Sequence, residues 1–402
     1  MSGHLLIQAD ARAIPLADQS VDCVVTSPPY WGLRDYGVAG QIGLERELDC
    51  LGWATGEPCG ACFICELVEV FREVWRVLKP QGTLWLNLGD QHLARPKTIG
   101  PSVRLKTKDL SGQPWRLVFA LQAAGWWLRS EIIWHKPSCM PESCTDRPTT
   151  AHEHVFLLAK AKTYFYDQDA IREPFQTTDA HRATETRVEG WATETEHNPV
   201  AHATPKSHRG SKFNRRRNLS IHPNMGQGPR KDNPKGRNKR SVWTIATQPR
   251  KEAHFATFPE KLVEPCILAG TSARGVCPDC GKPWERKTEK SFSPQEDVSP
   301  DKGIRCATGQ KPMDAQNRWG GAPRGTTATT TMGWEPSCRC GHEPKPAVVL
   351  DPFAGSGTVC RVAERLGRVG IGLDLNWNYL DGIARAYCGK PVQHQIDLVA
   401  LG

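Results

Sequence analysis

The residues best suited to chemistry fall in two short motifs and two bunches of cysteine. Val348-Val-Leu-Asp-Pro-Phe-Ala-Gly-Ser-Gly-Thr358 reads as a strand entering a glycine-rich turn, with a helix from Val359 to Leu366 behind it. Gly355 and Gly357 let the backbone turn tightly and approach a ligand with no Cβ in the way. The next apolar run, Val369-Gly-Ile-Gly-Leu-Asp374, ends in a carboxylate 23 residues after Asp351. A βαβ unit needs that spacing to set an acid against ribose hydroxyls, so a nucleoside-cofactor site is expected here. The second motif, Ser27-Pro28-Pro29-Tyr30, follows an apolar run directly. Prolines have fixed φ and no N–H, so the carbonyls of this turn are rigidly presented. The serine hydroxyl and a proline carbonyl can accept hydrogen bonds from an amino group, and Tyr30 offers a face on which a planar ring can stack.

The cysteines point to structure. Cys277-Pro-Asp-Cys280 has zinc-knuckle spacing and pairs naturally with Cys338-Arg-Cys340, whose single intervening residue departs from the usual ribbon. Cys59, Cys62 and Cys65 form a Cys-x-x-Cys-x-x-Cys run to which Cys50 can add a fourth thiolate. Bunching beside glycine and proline disfavours scattered reduced surface thiols. Neither group has the three-ligand, open-position pattern of catalytic zinc, so one or two structural zinc ions are expected. Cys23, Cys266, Cys360 and Cys388 stand in apolar surroundings and are expected to fill the core.

Elements able to position these groups alternate along the chain. Leu5–Ala9, ending at Asp10, and Val21–Thr26 are near-continuous apolar runs of the kind that form buried parallel strands. Leu67, Val70, Phe71, Val74, Trp75 and Leu78 recur at helical spacing, and Lys79-Pro-Gln-Gly82 predicts the stop. Strands are predicted at Gly82–Leu88, Glu131–His135 and Val155–Ala159, a helix over Trp115–Ala124, and renewed order at Ser241–Ile245. The alternation favours an α/β sheet with parallel pairing. Two stretches read as irregular, about 176–240 and 287–332. Within the first, residues 206–240 hold twelve Lys or Arg against one acid, Asp232, a composition that stays solvated alone yet can order on a phosphate backbone.

Taken together, the two motifs strongly resemble those of the DNA amino-methyltransferases, which modify adenine N6 or cytosine N4. The catalytic motif comes first, the cofactor motif last and the basic region between, an order similar to the beta class. Asn87-Leu-Gly-Asp90, Ile132-Ile-Trp-His-Lys-Pro137 and Phe258-Pro-Glu-Lys-Leu262 extend the resemblance over nearly the whole chain. It implies a Rossmann-like α/β sheet dependent on S-adenosylmethionine, circularly permuted and of seven-stranded type, with zinc-stapled insertions at 50–65 and 277–340. Residues 1–170 and 246–402 would be its two halves and 171–245 a basic target-recognition region. Ser27, Pro28, Pro29 and Tyr30 would hold a base flipped out of the duplex. Asp351, Pro352, Phe353, Gly355, Gly357 and Thr358 would form the methionine end and loop of the cofactor site. Asp374 would bind the ribose, Asp10 would lie near the adenine, and Phe258, Pro259 and Leu262 would pack beside the cofactor. Lys136 and Lys261 are expected to be ordinary surface or phosphate contacts. Serine rather than aspartate at position 27 leans towards cytosine N4, with adenine N6 as the alternative. RNA or protein-amide methylation and an inactive zinc-bearing nucleic-acid-binding protein are the remaining readings.

Composition is consistent with this. The 402 residues carry a formal net charge of +9, suited to a polyanion, and 39% of them are hydrophobic, enough for a packed core. No run reaches the roughly 18 apolar residues of a membrane span, and residues 1–8 lack a signal-peptide pattern. A cytoplasmic location is therefore expected, in which fifteen cysteines argue for metal sites or core thiols over disulfides. The expected partner is double-stranded DNA, with no membrane; a cognate restriction endonuclease and a second copy of the chain are left open by the sequence.

Overall fold

The computed structural model describes residues 4–93, 105–173, 237–248, 258–294, 325–388 and 392–394. Most of the basic stretch 206–240 lies outside them. In chain order the elements are β1 (His4–Gln8), β2 (Val21–Thr26), α1 (Gly52–Thr55), α2 (Phe63–Val77), β3 (Leu78–Leu88), α3 (Gln113–Ala123), β4 (Trp127–His135) and β5 (His152–Ala159). Then come β6 (Val242–Thr244), α4 (Glu260–Gly270), β7 (Trp284–Pro294), β8 (Gly325–Pro336), β9 (Val348–Asp351), α5 (Thr358–Arg365), β10 (Val369–Asp374), α6 (Arg385–Cys388) and β11 (Val392–His394). The chain divides into two compact units, one of residues 1–172, 238–288 and 331–402, the other of 173–237 and 289–330.

Nine strands make one sheet in the order β11-β1-β10-β9-β2-β3-β5-β4-β6. Side chains alternate between its faces. Val24, Leu84, Leu86 and Leu350 join the core built on α2 and α3, whereas Cys23, Val25, Trp85 and Val349 join the one built on α4 and α5. Helices therefore cover both faces, which explains why β2 is buried at all six positions and reads as a near-continuous apolar run. Cys23, Cys266 and Cys360 are buried, as their surroundings predict, and Cys388 is half-buried.

Four expectations need correction. β5 pairs antiparallel with both β3 and β4 and is the one strand of the nine that runs against the rest. Its link to β4, residues 136–151, contains no helix, so it makes no parallel crossover. The sheet has more than the seven strands expected: β6 falls within the stretch of renewed order at Ser241–Ile245, and β11, three residues long, is too short to leave a periodic signal. No turn separates α2 from β3. Pro80 pushes Lys79 out of helical geometry, Leu78 is already extended at φ −75°, ψ 135°, and the chain runs straight into the strand. The buried Lys79 ammonium then meets Asp22 Oδ1 at 2.6 Å. Finally, both ends of the stretch expected to be irregular, 287–332, belong to β7 and β8, which pair as a two-stranded ribbon. Thr326–Thr331 is rich in β-branched residues but lacks the apolar alternation that marks a half-buried strand.

Candidate active site

Because β1, β2, β9 and β10 run parallel, their carboxyl ends open on the same edge of the sheet, where α/β sheets bind their ligands. There a cleft of about 670 Å3 is lined by Asp10, Ser27, Pro28, Pro29 and Tyr30 together with Phe258, Pro352, Phe353, Gly355, Thr358 and Asp374. The two sequence motifs thus face one cavity, although more than 300 residues separate them. Of the remaining predicted site residues, Asp351 and Leu262 are buried behind the lining, Pro259 caps α4 and Gly357 caps α5.

A short polar framework fixes the glycine loop. Asp351 Oδ1 accepts the Thr26 hydroxyl at 2.7 Å and the Phe353 N–H at 3.1 Å, tying β9 to the strand that ends in Ser27. Asp374 accepts the Gly355 N–H at 2.9 Å through Oδ2 and the Asn376 N–H at 2.8 Å through Oδ1. Gly355 has φ +49°, and a Cβ there would meet nothing nearer than the Phe353 carbonyl oxygen at 4.0 Å, so its backbone is bare to the cleft. Burial pushes the Asp351 carboxyl up to about 7, with the Asp374 charge adding to the rise and the two donated bonds opposing it. Burial also raises Asp374. Asp10 differs: burial would raise it, but the Arg12 guanidinium, bonded to it at 2.8 Å, holds it below its ordinary value.

The Ser-Pro-Pro-Tyr end has a framework that sequence motifs reveal only in part. The Tyr30 hydroxyl donates to Glu153 Oε2 at 3.0 Å. Asn87 Nδ2 donates to the same oxygen at 2.9 Å and lies 3.4 Å from Ser27 Oγ and 3.5 Å from the Tyr30 hydroxyl. A carboxylate partner requires the NH2 side of the amide, so the orientation of Asn87 is chemically fixed. Gly89 allows the close packing, since a Cβ there would meet Tyr30 Cε2 at 2.9 Å and Glu153 Cγ at 3.1 Å. Burial, then the Glu153 charge, raise the Tyr30 phenol well above its ordinary value, so it stays a donor. Lys136 is not an ordinary surface group: its ammonium pairs with Glu153 Oε1 and sits 4.6 Å over the Trp134 ring. Lys261 is exposed, as expected. Asn87 and Lys136 belong to stretches that carry the resemblance but have no evident task in sequence, and Glu153 has no local signature at all.

Both cysteine groups assemble. Within each of Cys50/Cys59/Cys62/Cys65 and Cys277/Cys280/Cys338/Cys340, the four Sγ atoms lie within 4.8 Å of one another. No helix among the described residues is long and apolar enough to cross a membrane.

A family model described as DNA methylase matches residues 21–280 and 342–385. The type II methyltransferase M.Cfr9I of Citrobacter freundii is 38% identical over 399 residues, covering 95% of this chain and 86% of its own length. M.SmaI of Serratia marcescens is 38% identical over 288 residues, covering 67% and 76%. Among solved structures, PvuII DNA methyltransferase (cytosine-N4-specific) aligns with a TM-score of 0.48 at 14% identity, over 99% of this chain and 91% of that one.

Proposed function

The chain belongs to the DNA methylase family of amino-methyltransferases, and from that premise we propose that it uses S-adenosylmethionine to methylate cytosine N4 in a specific duplex sequence. The observation that carries this reading is the shared cleft, with the Ser27–Tyr30 turn on one wall and the glycine loop on the other, bridged behind by Thr26 and Asp351. The residues fit such a cofactor. Asp10 and Asp374 stand at the carboxyl ends of adjacent strands where hydroxyl and amine donors can be held, Gly355 leaves backbone bare, and Phe258 and Phe353 give apolar walls.

When bound, the cofactor would supply an electrophilic sulfonium methyl and leave as a neutral thioether, and the methylated amine would release one N–H proton to solvent. The protein's task is to make a poor nucleophile attack it, because the lone pair of an exocyclic amine is delocalised into its ring. Ser27 Oγ and the Pro28 carbonyl accept the two N–H groups, favouring a pyramidal nitrogen whose lone pair points across the cleft. Tyr30 holds the ring plane by stacking, and its hydroxyl is itself held by Glu153. This is catalysis by position and electrostatics with no covalent enzyme intermediate. A stacked base cannot enter the cleft, so the target is flipped.

Serine at position 27 supports cytosine over adenine. The chain order of the two motifs supports a permuted, beta-class arrangement. Residues 171–245 are assigned to DNA contact on their charge, flanked by the catalytic halves 1–170 and 246–402. A cytoplasmic enzyme acting beside an endonuclease of the same specificity, alone or as a pair of chains, completes the reading.

Incubating the protein with unmethylated DNA and cofactor, then digesting to nucleosides for mass spectrometry, should yield N4-methyldeoxycytidine. Ser27→Ala removes an acceptor that strengthens as the amine gains charge, so the rate should fall about ten- to thirtyfold. N6-methyldeoxyadenosine as the product would overturn the cytosine assignment, and absence of any methylated deoxynucleoside the DNA reading.

A further inference from the structure

We propose that Cys50, Cys59, Cys62 and Cys65 hold a zinc ion that keeps the adenine end of the cofactor cleft in shape, while Cys277, Cys280, Cys338 and Cys340 hold a second zinc that has no part in cofactor binding. The role given to the first ion rests on the cofactor reading above; the existence of the ions does not.

Distances favour metal. Four thiolates at about 2.3 Å around a tetrahedral zinc stand roughly 3.8 Å apart. Cys50 and Cys65 Sγ are 3.7 Å apart, and Cys59 and Cys65 Sγ 4.0 Å. None of the four is joined in a disulfide, and these separations are far beyond a disulfide bond. Backbone N–H groups point at the sulfurs as they do at thiolate ligands: Gly52 to Cys50 at 3.2 Å, Cys59 to Cys50 at 3.5 Å and Ala61 to Cys59 at 3.5 Å. Four thiolates with no water position give a closed structural site.

The route from this site to the cleft is short. Cys65 lies in the first turn of α2, and the next residue, Glu66, accepts Arg12 Nη1 at 2.8 Å. The other arm of Arg12 reaches Asp10 Oδ2 and the Gly40 carbonyl, each at 2.8 Å. Asp10 and Gly40 both line the cleft. On the upstream side, the chain entering Cys50 is pinned to the start of α2 by Phe63 N–H to the Glu47 carbonyl and Ile64 N–H to the Leu48 carbonyl, both 3.0 Å. Asp49 is gripped by Arg116 at 2.9 Å. The zinc loop therefore closes the segment 33–49, which walls the cleft through seven of residues 33–42, against the helix that steers Arg12. The second cluster lies elsewhere: Cys277 and Cys280 precede β7, Cys338 and Cys340 follow β8, and none lines the cleft.

The test combines metal analysis with cofactor titration on the full-length chain. Elemental mass spectrometry of protein purified without chelator should give two zinc per chain, falling to one in Cys59→Ser and one in Cys280→Ser. Cys59 and Cys280 are both exposed, so neither substitution opens the core. Calorimetry should show Cys59→Ser binding S-adenosylmethionine about tenfold more weakly, the size expected from one lost charge-assisted bond, and Cys280→Ser within twofold of the parent. Glu66→Gln should keep both zinc ions and still weaken the cofactor severalfold, which separates the relay from any general loosening of the loop. Iron in place of zinc, or metal unaffected by the cysteine changes, overturns the metal assignment. Zinc loss in Cys59→Ser at unchanged affinity, or equal weakening in Cys280→Ser, overturns the coupling. A parent protein with two zinc ions and no cofactor affinity would instead overturn the cofactor reading.

Discussion

Tyr30→Ala should slow methyl transfer about a hundredfold or more while leaving cofactor affinity within about twofold. Stacking of a base on an aromatic ring is worth roughly 1–3 kcal/mol. The alanine variant also deprives Glu153 of the phenol at 3.0 Å and the Asn87 amide of its 3.5 Å contact with the same hydroxyl. Together these approach 3 kcal/mol, or two orders of magnitude in rate. Tyr30→Phe keeps the stacking face and loses only the hydroxyl, so its loss should stay within about tenfold. Single-turnover transfer on the natural duplex reads the chemical step, and fluorescence of a separate duplex with 2-aminopurine at the target position reads flipping: the alanine variant should lose the fluorescence rise of an unstacked base, and the phenylalanine variant should keep most of it. Weakened cofactor binding with normal transfer in the alanine variant would instead make Tyr30 part of the cofactor wall.

The second large effect concerns Asp351. Burial raises its carboxyl from 3.8 to about 7, whereas in the unfolded chain it titrates near the ordinary value. Between about pH 4 and pH 7 the folded protein therefore holds a proton that the unfolded chain has released. Stability from this group is complete below about pH 4 and is lost as pH rises through 7. At about 1.4 kcal/mol per pH unit the loss totals roughly 4 kcal/mol. Buried Asp374, also raised, acts with the same sign. Asp351→Asn keeps an oxygen for Thr26 and Phe353 and removes the charge. The unliganded variant should thus be more stable than the parent at pH 8 by a few kcal/mol, and the two should converge only below about pH 4. Cofactor affinity should move the other way, because a cationic ligand gains from an ionised carboxylate behind the loop. Thermal unfolding of both proteins across this pH range, with and without cofactor, tests this; parallel profiles for the two would refute it.

Much of this arrangement was legible in the sequence, for identifiable reasons. The runs that became β1, β2, β9 and β10 are covered by helices on both faces or nearly so, and such strands must be apolar throughout. Their termini, Asp10, Ser27, Asp351 and Asp374, followed once the strand ends were fixed. Cysteine spacing exposed both thiol clusters, since few other roles bunch four cysteines beside glycine. Strand direction was not legible, because an apolar run carries no sign: β5 is reversed by the lack of a helix in its connection to β4. Nor were partners that meet only in space. Glu153 is the second residue of β5 with no neighbouring motif, yet it anchors Tyr30, Asn87 and Lys136. Arg12 bridges Asp10 and Glu66 across 54 residues of chain.

The placement of β2 between β9 and β3, and of β1 between β11 and β10, has a consequence for synthesis. A ribosome finishes β2 more than 300 residues before it reaches β9. At roughly 5–20 residues per second that interval is on the order of tens of seconds. Throughout it, two strongly apolar strands are exposed with at least one unpaired edge each, a template for pairing with other growing chains. Thr26 likewise waits for Asp351 before the cleft has a floor. A translation product that stops before residue 348 lacks the glycine loop and with it one wall of the cleft, while those strand edges stay open until the loop arrives.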